Sequence, residues 1–220
     1  MDPAALIDAA ADGRLPEWAA VGRLRLAHLE RVAALLGQWA EALDLPADEC
    51  RRWRAAGYLH DVLRDAEPGE LRPLVPPPLR HVSGRLLHGP AAAERLRQDG
   101  VEDESLLRAV GYHTIGHPDL DQLGRALFMA DYMEPGRKYE PARLAALRAR
   151  MPEAHAEVLK EVLHSRIERL LKEGRPIRTE TAAFWNAING AAPNAAPDSA
   201  PDAAPGSATE AAPGAPPTDP

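Results

Sequence analysis

The sequence contains little cysteine, no long hydrophobic run and no signal-peptide pattern. Its 220 residues include one cysteine, Cys50, which excludes an internal disulfide and a multi-cysteine zinc site. No uncharged apolar stretch reaches the roughly 18 residues that a membrane span needs. The first residues lack the basic start and the apolar run of a signal peptide. We therefore expect a cytoplasmic protein with no membrane association.

Residues that favour β-sheets are also scarce. The chain has 9 Val, 5 Ile, 5 Thr and 10 aromatic residues, whereas the helix formers Ala, Leu, Glu and Arg dominate. The 26 Lys+Arg are outnumbered by 33 Asp+Glu, which gives a net charge of -7. A broad basic surface for a nucleic acid polymer is therefore not expected. Composition predicts an all-α protein.

The composition changes near residue 190. Residues 191–220 hold 8 Pro and 11 Ala but no Leu, Ile, Val or aromatic residue. Such a segment cannot bury enough apolar surface to offset its ordering entropy, so it is predicted to be a disordered tail. Residues 1–190 are predicted to form one helical domain. The predicted helices are Pro3–Ala11, Pro16 to Pro46, Ala47–Leu63, one turn near Leu71, Gly89–Gln98, Glu102–Thr114, Asp121–Met133, Pro141–Arg150, Pro152–Glu173 and Glu180–Ile188.

Metal-binding residue types lie on these predicted helices or at their ends. Asp61 and Asp131 each follow an apolar run, and a buried carboxylate needs a partner. Imidazole and carboxylate together suit Fe, Mn, Zn, Co or Ni, whereas the absence of thiolates argues against a structural zinc site. A bound cation would account for the whole set of candidate ligands. That set is His28, His60, Asp61, His88, His113 and Asp131.

The other four histidines do not support the same argument. A single histidine on a helix is more often an ordinary packed or surface residue than a ligand, and His117, His155 and His164 are interpreted in this way. His155 and His164 lie among the charged residues of a predicted helix. His81, in the proline-rich connector, is left unassigned.

The order His, His-Asp, His, His, Asp resembles the signature of the HD-domain phosphohydrolases. The sequence segments around these residues are more specific for one subgroup of this family. They are Arg25-Leu26-Ala27-His28, the run from Gly57 to Asp65, Leu86-Leu87-His88-Gly89-Pro90, Tyr112-His113-Thr114 and the run from Ala130 to Arg137. Over residues 20–175 the chain resembles the YqeK-type subgroup, which are bacterial symmetrical dinucleoside-tetraphosphate hydrolases.

The resemblance implies an HD-type helical bundle around two metal ions, most commonly iron, with Mn, Co or Ni as alternatives. The first metal would be held by His28, His60, Asp61 and Asp131, and the second by His88 and His113, with Asp61 bridging both. A hydroxide shared by the metals would attack a phosphorus of the polyphosphate. Diadenosine tetraphosphate and related dinucleoside polyphosphates would then be split symmetrically, into two ADP from the former.

Positive side chains near the motifs are candidates for binding the polyphosphate. Arg25 precedes His28 by one helical turn, and Arg137 follows the turn after Asp131. Their forked guanidinium groups match phosphate oxygens. Thr114 is a further candidate, as a hydrogen-bond donor to phosphate.

Arg64 and Asp65, which follow Asp61 in the chain, are also predicted to be catalytic residues. Arg64 would bind phosphate and stabilise charge, and Asp65 would orient Arg64 or a water. The subgroup often has lysine at position 64, and arginine does not readily give up a proton. Ile115 also replaces a second threonine that commonly follows Thr114 in the subgroup. The arginine leaves the proton donor open, and the isoleucine removes a hydroxyl that would contact the substrate or the backbone.

Alternative functions remain at this stage. Another HD phosphohydrolase would act on a nucleoside monophosphate, a deoxynucleotide or a guanosine alarmone, and would need a single metal. A non-catalytic HD protein would sense nucleotides without turnover. Tyr132 and Tyr139 are equally candidates for stacking on a base and for ordinary packing. The oligomeric state, monomer or homodimer, is not predicted.

Overall fold

The computed structural model describes residues 3–80 and 82–190, and within these ranges the chain is entirely helical, with no strand. The all-α prediction is confirmed. The helices are α1 (Pro3–Ala11), α2 (Arg23–Ala42), α3 (Ala47–Leu59), α4 (Pro68–Leu71), α5 (His88–Gln98), α6 (Glu104–Tyr112), α7 (Gln122–Met133), α8 (Pro141–Arg148), α9 (His155–Lys172) and α10 (Thr179–Ile188). Two short 3-10 turns, Pro77–Leu79 and Gly84–Leu86, lie between α4 and α5.

Helix α7 occupies the centre of the bundle. It packs against α2, α3, α6, α8 and α9, while α2 lies against α3 and α5 against α6. The central position matches its sequence, because nine of its twelve residues are buried. Phe128 on α7 meets Phe184 of α10 edge to face, with ring centroids 5.5 Å apart. Each large apolar side chain buried in this way contributes about 1.5–3 kcal/mol.

Helix α2 begins at Arg23 rather than at the predicted Pro16. Proline does suit a first helical turn, but tertiary contacts hold the preceding segment in another conformation. Ala20 N donates to Val62 O at 2.8 Å, and the indole of Trp18 donates to Asp99 at 2.7 Å. Gly22 is extended and forms the N-cap. The segment before α2 is thereby fixed beside the turn that follows His60.

Helix α3 ends at Leu59, four residues before the predicted Leu63. Val62 and Leu63 are buried, as their apolar character requires, but they lie in a turn. Two other helices begin after their predicted first residues because an aspartate caps each of them: Asp103 accepts from Leu106 N in α6, and Asp121 accepts from Gly124 N in α7. The remaining corrections are α2 ending at Ala42, α5 from His88, α6 ending at Tyr112, α8 ending at Arg148, α9 as His155–Lys172 and α10 from Thr179.

A glycine controls how closely α2 approaches α3. A Cβ added at Gly57 would lie 2.5 Å from the Cα and 2.7 Å from the backbone N of Ala33. We expect Gly57→Ala to destabilise the protein by about 1–3 kcal/mol, because the backbones would have to move apart in a packed core. Thermal unfolding measures the loss. Gly69→Ala, where no atom lies within 4 Å of the added Cβ, is the matched control and should leave Tm nearly unchanged.

Two predictions fall outside the described residues. These are the disordered tail at 191–220, with the domain boundary before it, and the unassigned His81. His155 and His164 are exposed, in agreement with their interpretation as surface residues. None of the helices described here is both long and apolar enough to cross a lipid bilayer.

Candidate metal centre

The six predicted metal-binding residues converge on one buried position. They come from α2, the ends of α3 and α6, the start of α5 and the last turn of α7, and none is more than 8% exposed. The imidazoles form two pairs. The Nε2 atoms of His28 and His60 lie 3.3 Å apart, and those of His88 and His113 lie 3.1 Å apart.

Asp61 lies between the two histidine pairs. Its Oδ1 is 2.9 Å from His88 Nε2 and 3.3 Å from His113 Nε2. Its Oδ2 is 3.7 Å from His28 Nε2 and 3.8 Å from His60 Nε2. One oxygen therefore faces each pair, which is the arrangement that a bridging carboxylate requires.

Backbone carbonyls determine which nitrogen each of three imidazoles presents. His60 Nδ1 lies 2.8 Å from Gly57 O, His88 Nδ1 lies 3.1 Å from Arg85 O, and His113 Nδ1 lies 2.8 Å from Val110 O. A carbonyl oxygen only accepts, so Nδ1 carries the proton in each ring. In the neutral rings the Nε2 lone pairs then point toward the centre, as they do in metal-binding histidines.

The donor set fits a bound cation. Lone pairs of facing Nε2 atoms about 3 Å apart repel each other unless a proton or a metal lies between them. Burial lowers the pKa of His60 to about 3 and also lowers that of His88, which disfavours a proton on either of these two rings. Burial would also lower the pKa of His28, but the contacts of His28 with Asp131 and Glu134 raise it. Asp61 Oδ1 is moreover a buried acceptor without a hydrogen bond of good geometry. Ligand atoms of His28, His60 and Asp131 lie within 4.8 Å of one another, as do those of His60, Asp61 and His113.

The surrounding charges keep both aspartates ionised. Burial alone would raise the pKa of Asp61, but His60, His113 and His88 hold it well below its usual value. Burial alone would likewise raise the pKa of Asp131. Contacts with His28 and with the nearby guanidinium groups hold it well below its usual value. Two deprotonated carboxylates in a buried site are the ligands that a metal cation needs.

Two of the predicted phosphate-binding arginines contact the ligand carboxylates directly. Arg25 Nη1 donates to Asp61 Oδ2 at 2.6 Å, and Arg137 Nη2 donates to Asp131 Oδ1 at 2.6 Å. Thr114 Oγ1 lies 3.0 Å from His113 Nε2. All three therefore lie at the centre, where phosphate oxygens would have to come close to the metal.

Arg64 and Asp65 lie further out and do not contact each other among the described hydrogen bonds and ion pairs. Arg64 Nη1 donates to Arg85 O at 3.0 Å. Asp65 instead accepts from Gly22 N at 3.0 Å and lies 3.5 Å from Arg25 Nε. The structure thus places Asp65 beside Arg25 and does not show the first of its two predicted roles, a contact that orients Arg64; the second role, orienting a water, stays a prediction.

Sequence reasoning missed two residues of the centre, Arg166 and Arg31. Arg166, on α9, donates to Asp131 Oδ2 at 3.0 Å. For Glu134 the sequence left open whether it supports a metal ligand or is an ordinary turn residue, and its carboxylate lies 3.4 Å from His28 Nδ1 and pairs with Arg31. Burial opposes ionisation of Glu134, but His28 and Arg31 lower its pKa to about 2. Glu134 lies within the motif that runs from Ala130 to Arg137, and Arg31 lies three residues after His28, on the same helix face.

Two clefts open onto the centre. One, of about 520 Å³, is lined by Arg25, His28, Asp65, Glu134 and Arg137, among others. The other, of about 430 Å³, is lined by Thr114, Asp131, Tyr132, Tyr139 and seven arginines, which include Arg64, Arg137 and Arg166. Arg137 borders both clefts. Asp131 is the one carboxylate among the described residues that line the second cleft. With seven arginines against this single carboxylate, the walls of the second cleft are strongly basic.

The helical bundle and its buried histidine–aspartate cluster define a class of metal-binding hydrolases. The family model of the HD domain matches residues 25–136, about half of the chain. The chain belongs to the HD-domain family. The match contains all six candidate ligands but ends before α8, α9 and α10.

Within that family the chain is similar to proteins named "Bis(5'-nucleosyl)-tetraphosphatase, symmetrical". The relative from Halalkalibacterium halodurans is 29% identical over 163 residues, which cover 70% of this chain and 86% of the relative. Those from Staphylococcus aureus and Bacillus subtilis are 32% and 30% identical, and the chain covers 60% and 52% of their lengths. The matches cover 51% and 41% of this chain.

A solved structure shares the fold. It is a predicted HD superfamily hydrolase involved in NAD metabolism from Clostridium acetobutylicum, with a TM-score of 0.69 at 22% identity. The alignment covers 83% of this chain and 96% of that protein. The similarity therefore extends well beyond residues 25–136.

Proposed function

We propose that this protein is a metal-dependent hydrolase that splits diadenosine tetraphosphate, and related dinucleoside polyphosphates, symmetrically. The observation that carries the proposal is the pair of clefts that meet at Arg137 beside the ligand cluster. A substrate with two equal nucleotide halves needs one space on each side of the bond that breaks. The names of the three curated relatives point to the same reaction.

Two metal ions, iron by preference, would be held by the six clustered residues. His28, His60 and Asp131 would bind the first ion, and His88 and His113 the second, with Asp61 shared between them. When bound, the ions would supply positive charge to the phosphoryl oxygens and lower the pKa of a coordinated water toward neutrality. Cysteine is absent from the cluster, which is consistent with a catalytic rather than a structural role.

The protein's own groups would hold the polyphosphate chain over this centre. Arg25 and Arg137, each 2.6 Å from a ligand carboxylate, would bind phosphate oxygens on either side of the central bond. Thr114 would donate its hydroxyl to a phosphoryl oxygen. Such positioning and charge compensation account for most of the catalysis of phosphoryl transfer, which asks for little covalent chemistry from the protein.

The second cleft would take one nucleotide half. Its arginines would offset the charge of the phosphates. Burial is the main cause of the lowered pKa of His88, and the charge of Arg64 contributes to it. Tyr139 is partly exposed in this cleft and packs edge to face on Tyr132, with centroids 5.7 Å apart. Its ring would stack on the base. The protein would work in the cytoplasm, as a monomer or a homodimer.

One experiment tests the reaction and the metal content together. The protein is purified without oxygen, its metals are measured, and it is incubated with diadenosine tetraphosphate while products are resolved by anion exchange. We expect ADP as the sole product and close to two metal ions per chain. AMP plus ATP would overturn the central cleavage position. Turnover of nucleoside monophosphates alone, with one metal per chain, would instead identify the single-metal HD phosphohydrolase considered above.

A further inference from the structure

Arg166 reaches the candidate metal centre from α9, outside the residues that the HD-domain model matches. Its Nη2 donates to Asp131 Oδ2 at 3.0 Å and to Phe128 O at 3.2 Å. Its Nη1 donates to Thr114 O at 2.9 Å. The guanidinium also lies over the Phe128 ring, 4.4 Å from the centroid. One side chain therefore joins α7, which carries Asp131, to the residue that follows His113.

The contact with Asp131 is made on the side away from the histidines. Asp131 Oδ1 lies 3.3 Å from His28 Nε2, whereas Oδ2 faces Arg166. A carboxylate rotates easily about its terminal bond, because the preferred angles of that torsion form a broad, roughly two-fold distribution. The hydrogen bond from Arg166 to Oδ2, together with the one from Arg137 Nη2 to Oδ1 at 2.6 Å, removes that freedom and fixes which oxygen is presented to the cluster.

We propose that Arg166 is a positioning residue for the metal centre, an inference that rests on the metal-dependent function proposed above. It orients Asp131 toward His28 and His60. Through Thr114 O it also fixes the distance between Asp131 and His113, which belong to different halves of the cluster. Groups that orient metal ligands in this way usually change metal affinity by about 10- to 100-fold when they are removed.

An arginine is required because the contacts lie on two different nitrogens of one planar group. A lysine ammonium is a compact point charge and does not span Thr114 O and Asp131 Oδ2 while stacking on Phe128. Arg166→Lys therefore keeps the charge but loses one of the two links. Arg166→Met loses both and keeps most of the apolar stem.

The test uses the metal-free full-length protein and Mn²⁺ alone, without substrate. Calorimetric titration gives the Mn²⁺ affinity of the wild type, of Arg166→Lys and of Arg166→Met, and thermal unfolding of the metal-free forms gives their stability. Arg148→Lys is the matched control, because Arg148 of α8 donates to Met133 O of α7 but contacts no candidate ligand among the described residues. Both Arg166 variants are expected to bind Mn²⁺ about 10- to 100-fold more weakly, and Arg148→Lys as the wild type does.

The outcomes separate this inference from the function on which it rests. Unchanged Mn²⁺ affinity in the Arg166 variants, with or without a lower Tm, would show a merely structural role and overturn the assignment. The comparison of Arg166→Lys with Arg148→Lys decides this even if Arg166→Met fails to fold. A wild type that binds no metal at all would contradict the proposed function instead. Recovery of turnover by Arg166→Lys at saturating Mn²⁺ would support positioning, because only occupancy is then impaired.

Discussion

Replacing Asp61 by asparagine is expected to remove the bound metal and to slow hydrolysis of diadenosine tetraphosphate at least about a thousandfold. Asparagine has nearly the same shape, so the change removes a negative charge while keeping the packing. Asp61 is the residue whose two oxygens face the two histidine pairs, at 2.9 and 3.3 Å on one side and 3.7 and 3.8 Å on the other. Both halves of the cluster therefore depend on it.

The size of this effect follows from the charge that the site would lose. Metal ions contribute several kcal/mol to the stabilisation of a phosphoryl transition state. Every 1.4 kcal/mol or so is a factor of ten in rate, so about 4 kcal/mol corresponds to a thousandfold. Arg25 would remain, but a guanidinium that binds phosphate does not acidify a water.

The measurement combines metal analysis of the purified variant with turnover at saturating substrate. Asp65→Asn is the matched control for metal content, because Asp65 also contacts Arg25 but lies outside the histidine cluster. It should retain the wild-type metal content. Circular dichroism and the Tm of the metal-free variant exclude unfolding as the cause. Full metal and normal turnover in Asp61→Asn would show that the ligand assignment is wrong.

The residues of the candidate metal centre could be predicted as a set but not one at a time. A single histidine on an apolar helix face, such as His28, is more often an ordinary packed residue, whereas an aspartate that ends an apolar run, such as Asp131, needs a buried partner. Their order along the chain then resembled a known signature. The structure brings all six together, with one oxygen of Asp61 facing each histidine pair. Whether they bind metal, and in the predicted grouping of four and two, stays a prediction.

Arg166 could not be predicted in the same way. It lies on α9 among many charged residues, and an arginine there is usually a solvated surface residue. Its role arises only from the packing of α9 against α7, which brings a guanidinium within 3.0 Å of Asp131, thirty-five residues earlier in the chain. Tertiary contacts of this kind leave no local pattern.

Several predicted helix boundaries were wrong for a related reason. Periodicity finds which residues are buried but not whether they are helical. Val62 and Leu63 are buried in a turn, and the segment after Pro16 is held by its bond to Val62 rather than by a helix. These errors lie beside the metal centre. The turn after Leu59 contains Asp61, whose two oxygens face the two histidine pairs.

The number of metals can be tested by removing one ligand of the second histidine pair. His88→Ala is expected to lower the metal content from two ions to one and to reduce turnover at least about a hundredfold, or roughly 2.7 kcal/mol. His88 Nε2 lies near Asp61 and His113 but is not part of the His28, His60 and Asp131 group. The first metal should therefore stay bound.

Chemical rescue makes this test specific for ligand loss. The alanine leaves a space of about the size of an imidazole ring, so added imidazole should restore part of both the second metal and the turnover. His117→Ala is the control, because His117 is partly exposed and its ring nitrogen only accepts from Asp119 N; it should keep both metals. If the wild type holds one metal and His88→Ala retains it with full activity, the second histidine pair is not a ligand site. The protein would then belong with the single-metal HD phosphohydrolases, and the central bond would have to be cleaved without a second ion.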